Sequence, residues 1–183
     1  MFIQTETTPN PATLKFLPGQ PVLPGATRDY RSDTDAGDSP LAQRLFAIEG
    51  VSGVFLADEF ISVTKDGGDW QHLKPAVLGT IMDHFLSGNA VVTGSGSTET
   101  GEFFDEDDTE TVETIKELIE TRVRPAVAQD GGDIIFKGFK DGIVFLHMQG
   151  ACAGCPSSTM TLKHGIENLL RHFLPDVTEV RPV

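Results

Sequence analysis

The 183-residue sequence predicts an α+β protein built as two small α+β domains joined by an acidic linker that contains Gly and Ser. Three observations predict it. Strand-like and helix-like periodicities alternate in both halves of the chain. The stretch "GSGSTETGEFFDEDD", residues 94–108, carries six acidic residues and no basic one, against eleven acidic and six basic in residues 1–93 and ten and eight in residues 109–183. The hydrophobic content of 39% is enough for packed cores. We therefore expect domains at 1–93 and 109–183 with a flexible linker over 94–108. Gly and Ser lower the cost of disorder and like charges extend the chain, giving a span of roughly 20 Å.

In the first domain "ATLKFLPG" reads as a strand ended by Pro-Gly. "RDYRSDTDAGD" reads as a polar loop. Ser39 can cap a helix with Pro40 at its first position, which places Leu41, Leu45 and Ile48 on one face. "VSGVFLADEFISVTK" divides into two strands around Ala57-Asp58-Glu59. "LKPAVLGTIMDHFLSG" is an amphipathic helix ending near Gly88, with Val77, Ile81 and Phe85 inward. The expected order is β-α-β-β-α.

In the second domain Val112, Ile115, Leu118, Ile119 and Val123 recur at helical spacing, and Glu110 and Glu113 suit the positive end of the helix dipole. "AQDGGD" breaks that helix. "IIFKGF" and "IVFLHM" flank Lys140-Asp141-Gly142, a hairpin signal. A second helix follows with Leu162, Ile166, Leu169, Leu170 and Phe173 on one face, and "VTEVRPV" closes the sheet. The order α-β-β-α-β puts the loop "GACAGCPSST", residues 150–159, between the hairpin and the last helix.

That loop holds both cysteines of the chain, Cys152 and Cys155. Pro156 suits the first helical position, so Cys155 is expected at or beside the N-cap and Cys152 in the turn before it. Free amides and the helix dipole there favour anions, and the cysteine pKa should fall. Gly150 and Gly154 allow close backbone approach, and Ala151 and Ala153 keep the surroundings small. Both thiols are expected in a surface turn where neither fills a core.

The spacing C-x-x-C serves redox dithiols, zinc sites and iron–sulfur sites alike. A tetrahedral thiolate site needs four ligands, and this loop supplies two. Of the five histidines, His72, His84, His147, His164 and His172, His164 lies about 13 Å along the helix from Cys155 and His172 lies farther. Both read as helix-surface residues. His147, on the strand entering the loop, is the one local candidate for a third ligand, although a structural place suits it better. The other solution is a second copy of the loop on another chain, since a two-fold dimer presents the same patch twice.

Asp130 and Asp133 could form a functional pair, but "DGGD" reads more simply as a helix stop and turn. Ser157, Ser158 and Thr159 read as a solvated first helical turn, because no histidine–acid pair accompanies them. Trp70 reads as partial core packing.

The net charge of −13 makes nucleic acid an unsuitable partner. No apolar run is long enough to span a bilayer, so no membrane partner is expected. Two cysteines argue for a reducing compartment, and the opening residues have neither a secretory nor a transit-peptide pattern. The expectation is a cytoplasmic protein, as in a bacterium, or an organellar matrix protein whose presequence has been removed.

The stretch "RPAVAQDGGDIIFKGFKDGIVFLHMQGACAGCPSSTMTLKHGIENLLRHFLPDVTEV" resembles the C-terminal domain of NifU, which defines the Nfu family of iron–sulfur carriers. Its specific parts are Asp130-Gly131-Gly132-Asp133, the run Gly150 to Thr159, and Thr161-Leu162-Lys163. "TPNPATLKFLPG", "DSPLAQRLFAIEGVSGVFLADEFISVTK" and Trp70 resemble the Nfu N-terminal domain. The resemblance implies that two chains hold one [4Fe-4S] cluster through Cys152 and Cys155 of each. It also implies a homodimer on cluster binding, an upstream assembly scaffold as donor, and apo iron–sulfur proteins as recipients. It implies a carrier rather than an enzyme. A thiol–disulfide oxidoreductase using the same C-x-x-C and a zinc-stabilised interaction module are the alternatives. Little chain follows the motif to complete a thioredoxin-like sheet.

Overall fold

The computed structural model describes residues 2–94, 102–153 and 156–183, without the side chains of 153 and 156–158. The chain divides into two compact units, Met1–Gly96 and Ser97–Val183.

The first unit is a five-stranded antiparallel sheet with two helices. Its strands are β1 (Gln4–Thr7), β2 (Thr13–Leu17), β3 (Arg28–Tyr30), β4 (Val51–Leu56) and β5 (Ile61–Lys65), in the spatial order β1-β2-β5-β4-β3. Phe16, Val54, Leu56, Ile61 and Val63 point from the sheet into a core closed by α1 (Pro40–Phe46) and α2 (Trp70–Leu86). Helix α1 starts where the sequence places it: the Ser39 side chain accepts from the Ala42 amide at 3.1 Å, and Pro40 follows. Helix α2 starts earlier than expected, at Trp70, because the Asp69 carboxylate accepts from the Gln71 amide at 3.1 Å. Val77 and Ile81 are buried, Phe85 is half-buried, and Gly88 ends the segment at φ +69°. Trp70 is partly buried and donates its ring N–H to the Pro11 carbonyl at 3.2 Å.

The expected β-α-β-β-α order lacks two strands. β1 carries the polar sequence "QTET" and shows no apolar alternation, yet it pairs with β2 from Gln4–Leu17 to Thr7–Leu14. "RDYRSDTDAGD" is not a loop throughout. Its first residues form β3, and Asp33–Asp38 form a 3-10 turn beneath which Tyr30, 4% exposed, donates its hydroxyl to Asp38 at 2.8 Å.

The second unit follows the expected α-β-β-α-β order. Helix α3 (Thr109–Leu118), a π-helical turn (Ile119–Val123) and α4 (Arg124–Gln129) run in succession. Pro125 accounts for the widened turn, since it lacks the N–H that a regular ladder would use. Val112, Ile115, Leu118, Ile119 and Val123 are all buried. Strands β6 (Gly132–Lys140) and β7 (Ile143–Gly150) form the hairpin, with Asp141 at φ 53° and Gly142 at φ 79° at its tip, the torsions of a primed turn. Helix α5 (Pro156–Phe173) returns the chain so that β8 (Glu179–Pro182) pairs parallel to β7. Ile166 and Leu170 are buried, and Leu162 and Leu169 pack against the same core. Phe173 does not face inward. It is 45% exposed, with the Arg122 guanidinium 5.3 Å from its ring centroid.

The expectation of a flexible linker through residue 108 is corrected at its C-terminal end. Phe103 forms a parallel bridge to Gly138, its N–H donating to the Lys137 carbonyl at 3.1 Å and its carbonyl accepting from the Phe139 amide at 2.9 Å. Strand β6 bulges there, and it is an edge strand, so its outer side is open to this pairing. The Phe103 ring lies on Gly138, where a Cβ would come within 2.6 Å of it, and 5.1 Å from the Phe145 ring centroid. Glu102 pairs with Lys116, and Glu106–Asp108 form a 3-10 turn leading into α3. Apolar contact and edge pairing hold these residues despite their charge. Residues 95–101 lie outside the described residues.

Candidate metal centre

The last residues of β7 and the first of β6 bring two glycines opposite each other, Gly150 and Gly132. Gly150 has φ +66°, which turns the chain out of the strand into a 3-10 turn at Ala151–Ala153. Helix α5 then begins at Pro156, as expected. Two hydrogen bonds fasten the turn. The Ala151 amide donates to the Gly131 carbonyl at 3.2 Å, and the Thr159 hydroxyl donates to the Cys152 carbonyl at 2.8 Å. Thr159 is therefore a tie between turn and helix rather than a solvated residue. Cys155 and the side chains of Ser157 and Ser158 fall outside what the structure describes.

Cys152 departs from expectation. It is 6% exposed and belongs to the hydrophobic core of its unit. Its Sγ lies against Gly132, where a Cβ would stand 2.7 Å from the sulfur. The thiol pKa does not fall as a helix N-terminus would make it. Burial, with the Asp130 and Asp133 carboxylates adding to it, pushes the thiol up to about 12. Desolvation opposes the thiolate, and the turn places this sulfur inside the core rather than at the free amides of α5.

"DGGD" is more than a stop. Gly131 makes the turn at φ +78°, and Gly132 makes room for the sulfur. Asp133, 5% exposed, receives Arg124 through Nε–Oδ1 and Nη2–Oδ2 hydrogen bonds of 2.9 Å each. Arg124 also reaches Glu120 at 2.7 Å. This pair anchors α4 to the start of β6, directly beside the cysteine turn. Only its separation of nine residues across a turn hid it from a reading by helical spacing.

The histidines are placed elsewhere. His147 joins its Nδ1 to the Val183 carbonyl at 2.9 Å, a link between β7 and the end of β8. His164 and His172 are exposed on α5, with His172 edge-on to Phe173. Among the described residues no three His, Cys, Asp or Glu side chains come together as a metal site.

Fold and site define a class: a two-domain α+β protein with a C-x-x-C loop at the head of a helix in its C-terminal domain. The family model described as scaffold protein Nfu/NifU N terminal matches residues 3–88, and the NifU-like domain matches residues 115–181. The chain is 53% identical to the human protein named NFU1 iron-sulfur cluster scaffold homolog, mitochondrial, covering 100% of this chain and 72% of that one. It is 50% identical to the protein of the same name from Drosophila sechellia, covering 100% and 65%. The chain thus spans about two thirds of the length of these relatives. Among solved structures, a NifU-like protein from Saccharomyces cerevisiae matches with a TM-score of 0.47 at 29% identity, over 52% of this chain and 87% of that one. The chain belongs to the Nfu/NifU scaffold family.

Proposed function

We propose that this protein is an iron–sulfur cluster carrier. It binds one [4Fe-4S] cluster between two chains, through Cys152 and Cys155 of each, and passes it to apo iron–sulfur proteins. The observation that carries the reading is the pairing of a C-x-x-C loop at the head of α5 with the NifU-like domain over residues 115–181. His147 is committed to the Val183 carbonyl, and the α5 histidines lie along the helix away from its start. Two thiols per chain then require a second chain to complete four sulfur ligands.

The cluster is cargo. It arrives from an upstream scaffold and leaves for a recipient, so the protein works as a binding protein and not as an enzyme. Homodimer and cluster form and dissolve together, because iron–sulfur bonds supply the attraction between the two loops. Residues 109–183 hold the cluster, and residues 1–93 influence delivery. The relatives named mitochondrial support the organellar matrix as the place of work; they give no support to a bacterial cytoplasm.

Anaerobic reconstitution of the full chain, followed by iron, sulfide and mass measurement on one sample, tests this. The expected result is about four irons and four sulfides per dimer. The visible absorbance of the cluster travels with the dimer on size separation, and chelation returns it to monomer. Zinc without acid-labile sulfide, or a stable monomer with a complete cluster, would overturn the reading.

A further inference from the structure

We infer that Cys152 alternates between the cluster and a built berth inside the protein core, and that Gly132 and Thr159 are the positioning residues of that berth; the inference rests on the proposed carrier role. Three independent features of the structure meet at this sulfur. Cys152 lies within the core, 6% exposed, in the 3-10 turn Ala151–Ala153 that follows β7. Gly132 has no side chain where one would collide with Cys152 Sγ and with the Gln149 carbonyl, each at 2.7 Å. Its φ is outside the left-handed region, so torsion does not call for glycine at 132, whereas the space taken by the sulfur and by the Gln149 carbonyl does. The backbone on either side of the sulfur is latched as well, by Ala151 to Gly131 and by Thr159 to the carbonyl of Cys152 itself.

A sulfur so placed cannot ligate iron shared with a second chain. Loading therefore begins with release of the Thr159 latch and rotation of Cys152 outward. Handover runs in reverse. The Fe–Sγ bond to Cys152 breaks with its electron pair remaining on sulfur, and that thiolate takes a proton from solvent. A recipient thiol loses its proton to solvent and supplies the replacing electron pair to iron, and neither iron nor sulfur changes oxidation state. The neutral thiol then returns beside Gly132. Return to the berth favours the empty carrier and so promotes departure of the cargo.

The test uses the full-length, reduced, iron-free chain in a Cys155→Ser background, where Cys152 is the remaining thiol. Its alkylation by iodoacetamide is followed by mass, folded and in urea. The berth predicts protection of about a hundredfold in the folded chain, since reaction awaits local opening. Thr159→Val should raise the folded rate about tenfold, the loss of roughly one hydrogen bond, with helical circular dichroism retained. Thr159→Ser, which keeps the hydroxyl, should stay protected. In the chain with both cysteines, reconstituted Thr159→Val should lose iron to a chelator more slowly than the parent. Alkylation of folded Cys152 as fast as in urea, or Thr159→Val matching the parent in both rates, would overturn the inference. The alkylation needs no iron, so it stands apart from the carrier reading. A protected Cys152 in a chain that takes up no cluster would reduce the berth to ordinary core packing and overturn the alternation.

Discussion

Arg124 holds Asp133 through two hydrogen bonds of 2.9 Å, and the carboxylate they satisfy is 5% exposed. The pair crosses from α4 to the first residues of β6, so the Gly132 berth depends on it. Removing the guanidinium leaves a buried carboxylate uncompensated. Such losses reach about 3–5 kcal/mol in full burial, but the Arg124 side chain is 37% exposed and water screens part of the effect. We expect Arg124→Ala to cost about 2 kcal/mol, and Arg124→Lys to recover only part because it cannot bond both oxygens. Amide exchange along β6 reads the change in the second unit alone. Unaltered protection would show that the pair contributes little.

The two cysteines should separate in their effect on folding. Both Cys152→Ser and Cys155→Ser are expected to abolish stable cluster binding. Cys152→Ser should also lower stability by about 1–2 kcal/mol, because a hydroxyl replaces a thiol in the core. Cys152→Ala should cost less, since it brings in no polar group. Bound iron and the thermal midpoint, measured on each variant, check both statements. Full iron retention would remove that cysteine from the site.

Phe103 sets where a usable C-terminal fragment begins. A fragment of 102–183 retains the bridge to β6 and the tilted ring contact with Phe145, and 109–183 loses both. The ring is 46% exposed, so we expect a difference of only about 1 kcal/mol in favour of the longer fragment. Gly138→Ala in the full chain should mimic the loss, since the added methyl takes the place of the ring. Equal midpoints for the two fragments would mean that the bridge adds nothing to stability. Both fragments should still take up cluster.

Acid should weaken the first unit through His84. The imidazole is fully buried, its Nε2 meets the Ala90 carbonyl at 3.1 Å, and its Nδ1 has no partner among the described residues. Burial holds its pKa below the ordinary value. The hydrogen bond to the Ala90 carbonyl is the main opposing effect, the Arg44 charge acts with burial, and the Asn89 backbone and Asp83 oppose it more weakly. The unfolded chain therefore takes up the proton more readily than the folded one. Stability should fall as pH drops through about 6.5, the unfolded histidine value. Trp70, the only tryptophan, lies in this unit, so its fluorescence during urea unfolding reports the first unit alone. His84→Gln, which keeps a donor for Ala90 and does not titrate there, should flatten the pH dependence. An unchanged slope would move the effect to another group.

Much of the fold is legible in the sequence because it is written at short range. Ser39-Pro40 marks the start of α1, Asp141-Gly142 the hairpin, and the five apolar residues of α3 its buried face. Each depends on torsions or periodicities confined to a few neighbours. The pair of thiols at 152 and 155 and the place of α5 after Pro156 are legible for the same reason. β1 and β3 were not, because their polar residues are strands only by virtue of an edge that β2 and β4 offer them. Phe103 belongs to this group too: its acidic surroundings read as linker, and the open edge of a strand far along the chain gives it a partner. The environment of Cys152 is the clearest case. Local sequence places it near a helix N-terminus and implies an exposed, acidified thiol. Only the meeting of Gly132, Asp133 and Thr159 around it decides that the sulfur is desolvated and turned inward. Desolvation is set by every residue that displaces water from the sulfur, and those residues are gathered by tertiary packing rather than by proximity in the chain.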